Sequence, residues 1–263
     1  MDNKKTITSE KNEIIKELLS LKKSRNRKKT GFFLIDGQRE LEIALESGIE
    51  IEKIFLCSDF IVNKNYLLKN LEKYNQIFVS PTIFKKIAYK ENPDGFLALV
   101  KKRKNTLNSL KPQNKEIVLV LEAVEKPGNL GAIIRTAYAA GVKNIILTNN
   151  QTDIYNPNVI RSSEGLLFKL NIIESNNKTT LSFLKDNNFA VFCAVTKASK
   201  DYTKVKYPRK CALIFGSEAN GLSSFWLNNK GKNIKIPMSL GVDSLNVSVS
   251  VAIILFEVLR QNN

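Results

Sequence analysis

Hydrophobic positions along this chain follow two different spacings, and their alternation predicts an α/β protein. Short continuous apolar runs such as IVLVLEA (117–123) and FAVFCAV (189–195) are typical of strands buried on both faces of a parallel sheet. Apolar residues three and four positions apart predict helices between these strands, including a long final helix over 245–261. Alternating strands and helices build layered domains, so we expect a mostly parallel sheet with helices on both faces in the C-terminal half.

The first hundred residues repeat this alternation on a smaller scale. Residues 10–24 have helical spacing, and this helix runs into the basic sequence LKKSRNRKK. The further elements predicted here are strands at 31–37, 51–57, 76–80 and 96–102, and helices at 38–48, near 64–73 and after Pro81. A polar, aperiodic stretch, RKNTLNSLKPQN, follows them. We therefore assign residues 1–105 to a small α/β domain, 106–115 to a linker and 116–263 to a second domain.

Composition adds a preference for an anionic partner. The 263 residues include 41 Lys and Arg against 25 Asp and Glu, a formal net charge of +16, and both halves of the chain share the excess. Nucleic acid is the commonest partner of so basic a protein, and charge that only keeps a lysine-rich chain soluble is the alternative. The basic run at 22–29 is accordingly either a phosphate-contacting arm or a solvated helix end.

The absence of histidine excludes several kinds of chemistry. Ser-His-Asp hydrolysis, Cys-His catalysis and histidine-ligated metal sites are all closed to this chain. The three cysteines (Cys57, Cys193 and Cys211) are too widely spaced for a metal site, and two of them lie in apolar runs typical of buried thiols. The chain has no signal-peptide core and no apolar run of membrane-spanning length. It therefore indicates a cytoplasmic protein without a metal or a membrane partner.

Three segments of the second half carry candidate chemistry, and the first is VEKPGNLGAIIRTAYAAG (124–141). Asn129 is expected to cap a helix there. Arg135 lies early enough in that helix to oppose the helix dipole, so it favours an anionic partner. An ordinary capped helix with a surface arginine is the commoner interpretation of this spacing alone.

The other two segments lie at predicted strand ends. In IFGSEANGLS (214–223), Gly216-Ser217-Glu218 leaves the carboxyl end of a strand, where open α/β sheets bind ligands. No lysine follows Gly221, so this is not a P-loop, and no GxGxxG sequence supports a dinucleotide site. The alternative interpretation of Glu218 is a carboxylate in an ordinary turn, without a ligand. In IPMSLGVDSLNVSVSVAIILFEVLRQ (236–261), Ser244 and Asn246 either cap the apolar helix or hold a ligand.

Together and in this order, the three segments closely resemble the motifs of the SpoU family of RNA ribose methyltransferases, also called the TrmH family. The resemblance covers about residues 116–262. The N-terminal pattern GFFLIDGQRELEIALESGIEIEKIFLC, with NPDGFLALV later, resembles the family's small substrate-binding domain, which is similar to RNA-binding ribosomal proteins. One departure is Lys126, where many members carry an aspartate before Pro-Gly-Asn. It bears on RNA contacts more than on catalysis.

The resemblance implies a fold, a cofactor and a reaction. It implies a deep trefoil knot in the second domain, a bent S-adenosylmethionine bound there, a homodimer with active sites near its interface, and methyl transfer to a ribose 2′-hydroxyl. Ribosomal RNA is the first expected substrate, because the two-domain layout resembles members that act on it, and transfer RNA is the second. The cofactor-binding residues carried over by residue match are Val195, Thr196, Gly216, Ile236, Met238 and Leu245.

The same match implies the catalytic residues, which are Asn129, Arg135, Glu218, Ser244 and Asn246. Arg135 is often assigned as the base in this family, but an arginine side chain is effectively always protonated. We therefore expect Arg135 to bind an RNA phosphate or to stabilise the developing 2′-oxyanion, while the phosphate or a water takes the proton. Asn129 and Asn246 would position the ribose and Arg135, and Glu218 would orient Arg135 or a neighbouring polar group.

RNA contacts are expected from basic residues of the first domain. The expected contacts are Arg25, Arg27, Lys28, Lys29 and Arg39, with Lys101–Lys104 as a second cluster. Two other functions remain as alternatives: an RNA-binding protein of the same fold that has lost catalysis, and a nucleotide-dependent enzyme of the doubly wound type. The intact catalytic set argues against the first, and the missing glycine fingerprint argues against the second.

Overall fold

The computed structural model describes residues 6–62, 66–229 and 231–262, which divide into two compact units. Of the described residues, the first unit takes those within Met1–Arg103 and Ile154–Phe168. The second takes those within Lys104–Asp153 and Lys169–Asn263. Each unit has its own sheet. Among the described residues, no helix is long and apolar enough to cross a membrane.

A five-stranded mixed sheet forms the frame of the first unit. Its strands are β1 (Thr6–Ile7), β2 (Phe32–Asp36), β3 (Ile51–Leu56), β4 (Gln76–Val79) and β5 (Phe96–Lys101). They lie in the order β1-β4-β3-β5-β2, in which β5 is antiparallel to both of its neighbours and the other pairs are parallel. The sheet alternates apolar side chains toward the helices, so Phe55, Leu97 and Leu99 pack into one core cluster with Phe84.

The helices of the first unit follow local sequence signals. They are α1 (Glu13–Ser20), α2 (Ser24–Thr30), α3 (Gln38–Glu46), α4 (Tyr66–Leu71) and α5 (Pro81–Ile87). Asn12 caps α1 by accepting the Ile14 N–H, and Gly31 ends α2 in the left-handed region at a φ of 76°. The basic run predicted as an arm or helix end therefore forms a second helix. The start of the helix predicted near 64–73 lies outside the described residues.

The second unit is built on a seven-stranded sheet whose strands are all parallel. They are β6 (Glu116–Glu122), β7 (Asn144–Thr148), β8 (Asn171–Ser175), β9 (Ala190–Ala194), β10 (Lys200–Asp201), β11 (Lys210–Phe215) and β12 (Lys232–Lys235). Their order is β10-β12-β9-β11-β6-β7-β8. The predicted α/β fold with a mostly parallel sheet is thereby confirmed.

Helices flank this sheet and complete its core. They are α6 (Pro127–Ala139), α8 (Asn177–Asp186), α9 (Ser224–Asn228) and α10 (Val247–Asn262). Val118 and Val120 pack with Leu184 of α8 and Trp226 of α9. The two-residue period of a strand turns the intervening Leu119 to the opposite face. Helices α6 and α10 contact each other, and α10 also contacts β11.

Two segments differ from the predicted domain boundaries. Residues 154–168 include α7 (Pro157–Ser162) and pack with the first unit, whereas the sequence predicts that they belong to the second domain. The Tyr155 ring stacks on Phe33 with centroids 4.2 Å apart, and Arg103 Nη1 donates to the Phe168 carbonyl at 3.0 Å. The predicted linker is also not simply polar, because Leu107 and Leu110 are buried in the core of the second unit.

Candidate active site at the carboxyl ends of the parallel strands

A cavity of about 490 Å³ opens at the carboxyl ends of the parallel strands of the second unit. Its walls come from the residues that follow β9 and β11, from the segment after β12 and from the first turns of α10. Ligands of open α/β sheets bind at these strand ends because the chain leaves the sheet there in loops. The volume falls within the range of small-molecule sites.

One wall of this cavity is a closed loop of backbone that spans residues 216–223, here called the glycine loop. Ser217 and Gly221 bond to each other in both directions, with N–O distances of 3.2 and 2.9 Å. A Cβ added to Gly216 would overlap the backbone carbonyl of Gly221, so glycine is required at this close approach. Gly221 itself has a φ of 65°. The loop therefore brings its backbone close to the cavity at Gly216 and Gly221.

All six residues predicted to bind the cofactor line this cavity. They are Val195, Thr196, Gly216, Ile236, Met238 and Leu245. Two carboxylates, Glu218 and Asp243, lie in the same lining. The structure thus brings together predicted cofactor-binding residues, from Val195 to Leu245, that are up to fifty positions apart in sequence.

A chain of hydrogen bonds joins three of the five predicted catalytic residues. Asn129 Nδ2 donates to Glu218 Oε1, and Asn246 Nδ2 donates to Asn129 Oδ1 at 3.1 Å. Asn246 Oδ1 in turn accepts the Ser248 N–H at 2.9 Å, which is an N-cap contact at the start of α10. Both ends of the Asn129 amide are therefore engaged, and the orientation of its side chain is fixed.

The other two predicted catalytic residues are Ser244 and Arg135. Ser244 is exposed and lines the cavity, whereas Arg135 is exposed on α6. Arg135 is the ninth residue of a 13-residue helix, so it does not lie early enough to oppose the helix dipole, and that prediction is wrong. Asn129 is likewise not the N-cap: the helix begins at Pro127, whose fixed φ suits the first helical position, and Lys126 occupies the N-cap position without a side-chain capping bond.

Sequence reasoning missed a buried carboxylate beneath the site. Glu122, the last residue of β6, is 2% exposed and accepts hydrogen bonds from the backbone and side chain of Ser223 at 2.8 and 2.7 Å. The amides of Asn149 and Asn177 donate to it as well. The signal that would have found it is a glutamate at the end of an otherwise apolar strand, because carboxylates are almost never fully buried unless partnered.

Comparison with known proteins places the chain in a family. The model of the SpoU rRNA methylase family matches residues 116–256, and the model of the MRM3-like substrate-binding domain matches residues 12–98. The chain belongs to the SpoU methylase family. The resemblance inferred from its three motifs is thereby confirmed.

Relatives of this SpoU-family protein are similar over nearly their whole length. A tRNA/rRNA methyltransferase of Synechocystis, itself uncharacterised, is 33% identical, with 97% of this chain and 94% of the relative covered. The 23S rRNA (guanosine(2553)-2′-O)-methyltransferase RlmP of Bacillus subtilis is 28% identical, with 96% and 98% covered. The crystal structure of an AdoMet-bound rRNA methyltransferase from Sinorhizobium meliloti superposes with a TM-score of 0.89 at 27% identity, with 97% of each chain covered.

The residues predicted to contact RNA divide into exposed and structural ones. Arg25, Lys28 and Lys29 are exposed. Arg27 is 2% exposed, and its Nη1 donates to the carbonyls of Leu21 and Lys22 at 2.7 and 2.9 Å. The prediction that Arg27 contacts RNA is therefore wrong, because the guanidinium instead holds the turn between two helices. Arg39 is exposed but forms an ion pair with Glu164.

Three residues of the second predicted basic cluster are similarly engaged within the first unit. Lys101 pairs with Glu50 at 3.3 Å, and the Lys102 ammonium lies 5.3 Å from the centre of the Tyr155 ring. Arg103 donates to two backbone carbonyls, those of Ser47 and Phe168. Its guanidinium thus holds two backbone segments together, which is a structural role and not an RNA contact.

A second cleft of about 570 Å³ lies at the amino ends of the same parallel strands. Glu116 starts β6 there and accepts hydrogen bonds from Asn144 Nδ2 and from the Gln113 N–H. Asn171 Nδ2 donates to Asn144 Oδ1 at 2.9 Å, which closes the network. Four exposed cations complete the lining: Lys111, Lys115, Lys143 and Arg209.

The thiols of the second unit are inert at neutral pH. Burial, with a smaller contribution from Glu122, raises the pKa of Cys193 to about 12, and burial alone raises that of Cys211 to about 12. Neither therefore supplies a thiolate nucleophile. Within the described ranges, no group of three or more carboxylates and thiols is arranged to hold a metal ion.

Proposed function

We propose that this protein transfers a methyl group from S-adenosylmethionine to a ribose 2′-hydroxyl of RNA. The observation that carries the proposal is the position of Glu218, which lines the cavity and belongs to the hydrogen-bonded chain through Asn129 to Asn246. A cofactor cavity and a set of groups that orient a polar substrate therefore meet at one side chain. Membership of the SpoU family, whose relatives are named as RNA methyltransferases, supports the reaction type.

Ribosomal RNA is the proposed substrate class. RlmP of B. subtilis is named for a guanosine of 23S rRNA, and the S. meliloti neighbour is named an rRNA methyltransferase. Transfer RNA is the second candidate, because the Synechocystis relative carries both RNA classes in its name. The exposed Arg25, Lys28 and Lys29 are the basic residues of the first unit that we propose as phosphate contacts.

The residues that line the cavity fit S-adenosylmethionine. Apolar side chains of Val195, Ile236 and Leu245 offer an enclosure for an adenine ring, and the glycine loop offers backbone groups. Glu218 and Asp243 place carboxylates in the lining of a site whose ligand is cationic. The bound cofactor supplies an electrophilic methyl group on a sulfonium.

The polar residues orient the nucleophile and manage charge. Asn129 and Asn246 hold the ribose, since their amides are already fixed by one another and by Glu218. Arg135 binds the RNA phosphate or stabilises the developing 2′-oxyanion, and the phosphate or a water takes the proton, because a guanidinium is not a base at neutral pH. Ser244, in the cavity lining, holds the cofactor or the ribose.

A homodimer, a trefoil knot and a cytoplasmic location complete the proposal. Val249 and Phe256 of α10 lie seven residues apart on one helix face and are 46% and 51% exposed. Tyr138 of α6 is also exposed, and α6 packs on α10. A second copy that covers this apolar face would bury all three side chains.

The proposed knot is based on the family resemblance. The proposed cytoplasmic location is based on the three buried, unbridged thiols and on an RNA substrate.

Substitution of Arg135 tests the reaction and the role of this residue together. We expect Arg135→Ala to lower the single-turnover methylation rate by about 100-fold or more while it changes S-adenosylmethionine affinity, measured by calorimetry, by less than about threefold. Arg209→Ala, which removes an exposed arginine from the opposite end of the sheet, is the matched control and should change neither quantity.

Two results would contradict the proposal. Equal losses of rate and cofactor affinity in Arg135→Ala would remove the electrostatic role of Arg135. Failure of the wild-type protein to bind S-adenosylmethionine at all would leave an RNA-binding protein of the same fold. Mapping of ribose methylation in RNA from cells with and without the gene identifies the substrate.

A further inference from the structure

Glu122 is a buried carboxylate that none of the proposed roles uses. It ends β6 and is 2% exposed, yet four hydrogen-bond donors converge on it. Transfer of an ionised carboxylate from water to the interior is costly unless hydrogen bonds replace its hydration. The burial of this carboxylate therefore indicates that its hydrogen bonds position other parts of the molecule.

The four donors come from three different parts of the second unit. Ser223, at the end of the glycine loop, donates both its N–H at 2.8 Å and its hydroxyl at 2.7 Å. Asn149 follows β7 and donates at 3.3 Å. Asn177 is the first residue of α8 and also accepts the Trp226 indole N–H at 3.1 Å. The carboxylate is thus the common acceptor beneath the carboxyl edge of the sheet.

Its contacts fix the glycine loop at one end. The loop is closed on itself by the bonds between Ser217 and Gly221, which form one hydrogen-bonded unit. Gly216 joins that unit to β11, Leu222 is buried in the core, and Ser223 joins it to Glu122 by two bonds. A change in the Ser223 anchor therefore displaces the wall of the cavity and Glu218 together.

Glu122 is also connected to the partner of Glu218 through the backbone. It is the last residue of β6, and Asn129 follows seven residues later in the first turn of α6. One carboxylate therefore links the strand that leads to Asn129 with the loop that carries Glu218. The hydrogen bond between Asn129 and Glu218 connects the same strand and loop a second time.

We propose that Glu122 is a positioning residue that sets both the cofactor wall formed by the glycine loop and the alignment of Glu218 with Asn129. This inference rests on the proposed methyltransferase function. It does not make Glu122 a proton carrier or a ligand of the cofactor, since its oxygens are occupied by the four donors.

The test is Glu122→Gln, with Glu116→Gln as the matched control. Both variants replace one carboxylate oxygen by an amino group in a network with asparagine amides, at opposite ends of the same strand. Glutamine at 122 turns a donor toward at least one of the present donors. We expect Glu122→Gln to weaken S-adenosylmethionine binding and to lower the single-turnover rate at saturating cofactor, each by about tenfold or more. Glu116→Gln should leave both within about twofold.

A double-mutant cycle with Glu218→Ala separates positioning from general destabilisation. If Glu122 acts on the rate through Glu218, then Glu122→Gln lowers the rate no further once Glu218 is removed, whereas cofactor affinity still falls. Additive losses of rate, or equal effects of the two strand-end glutamines, would overturn the inference. Should Glu122→Gln fail to fold, Ser223→Ala removes a single donor and must weaken cofactor binding in the same direction.

Cofactor affinity keeps this test independent of the substrate. Calorimetry of the wild-type protein decides whether the cavity binds S-adenosylmethionine, and methylation of RNA decides whether the proposed function holds. If the wild type binds the cofactor but methylates no RNA, the difference in affinity between Glu122→Gln and Glu116→Gln still confirms or overturns the part of the inference that concerns the cavity wall.

Discussion

The two ends of the parallel sheet are alike in outline and opposite in chemistry. Each end has a cleft, and the amino-end cleft is the larger, at about 570 against 490 Å³. Each end also has a β6 glutamate bonded to asparagine amides, Glu116 at one end and Glu122 at the other. Volume and polar content therefore do not locate the site, and what distinguishes the two ends is the direction of the chain.

Strand direction decides which helix ends reach each cleft. Helices α6 and α8 begin just after the carboxyl ends of β6 and β8, so their positive dipole ends lie at the carboxyl edge of the sheet. The end of α6 precedes β7, and the last residues of α10 line the amino-end cleft. Cations such as Lys143 and Arg209 complement these negative helix ends. The basic lining of the larger cleft thus has a structural cause that needs no ligand.

The largest expected effect comes from the glycine loop. Gly216→Ala places a Cβ against the carbonyl of Gly221, so the loop must open and the cavity wall must shift. We expect S-adenosylmethionine affinity, measured by calorimetry, to fall by about 100-fold or more. Gly128→Ala is the control, because a Cβ at that helical position meets nothing within 4 Å. Retained affinity in Gly216→Ala would mean that the cavity is not the cofactor site.

An intermediate effect, on the pH dependence of the free energy of unfolding, is expected from the two thiols. One thiol lies nearer each end of the sheet. Cys193 pairs in register with Ile214, and Cys211 with Ala190. The pKa of each thiol rises from 9.0 to about 12 on folding. Between these values the folded protein keeps protons that the unfolded chain loses, so the free energy of unfolding falls as pH rises, by at most about 1.4 kcal/mol per thiol per pH unit. Below pH 9 this contribution is constant.

Urea unfolding at about pH 8 and about pH 10 measures this dependence. Cys193→Ala and Cys211→Ala should each remove a similar share of the loss between the two pH values. A much smaller share for Cys193 would show that the carboxyl end of the sheet opens to solvent in the absence of ligand, and it would sharpen the contrast between the two ends.

The smallest effect on cofactor affinity is expected from a substitution at the amino ends of the parallel strands. Asn144→Ala removes one of the two donors to Glu116 and the acceptor of the Asn171 amide, which should lower the free energy of unfolding by about 1–3 kcal/mol. Cofactor affinity should stay within about twofold of the wild type. A joint loss of stability and of affinity would show that the two ends of β7 are coupled, and the comparison between them would fail.

The sequence carried enough information for the fold class and for the loops that line the cavity, because both depend on local pattern. Continuous apolar runs marked the buried strands, and Gly216-Ser217-Glu218 marked a strand end. Local pattern misled where a proline fixed the helix start: Pro127 begins α6, so Asn129 does not cap it. The two-residue edge strands β1 and β10 were missed because they are too short to show a period.

Features that depend on distant partners were not accessible in this way. Arg27 lies in a basic run that predicts a solvated surface, yet it is buried and its guanidinium donates to two backbone carbonyls in the preceding turn. Glu122 needed Ser223, which lies 101 positions away in sequence. Both residues are satisfied by groups that only the folded chain brings within reach.

The segment 154–168 has a consequence for how the protein can be divided. Because the chain passes from the second unit into the first and back again, no single cut in the sequence yields two complete halves. A fragment of residues 1–105 would lack Tyr155, and the Phe33 ring that it covers would be left facing water. Synthesis on the ribosome meets the same restriction: the first unit has all of its residues only after the chain has grown past residue 168, well into the second.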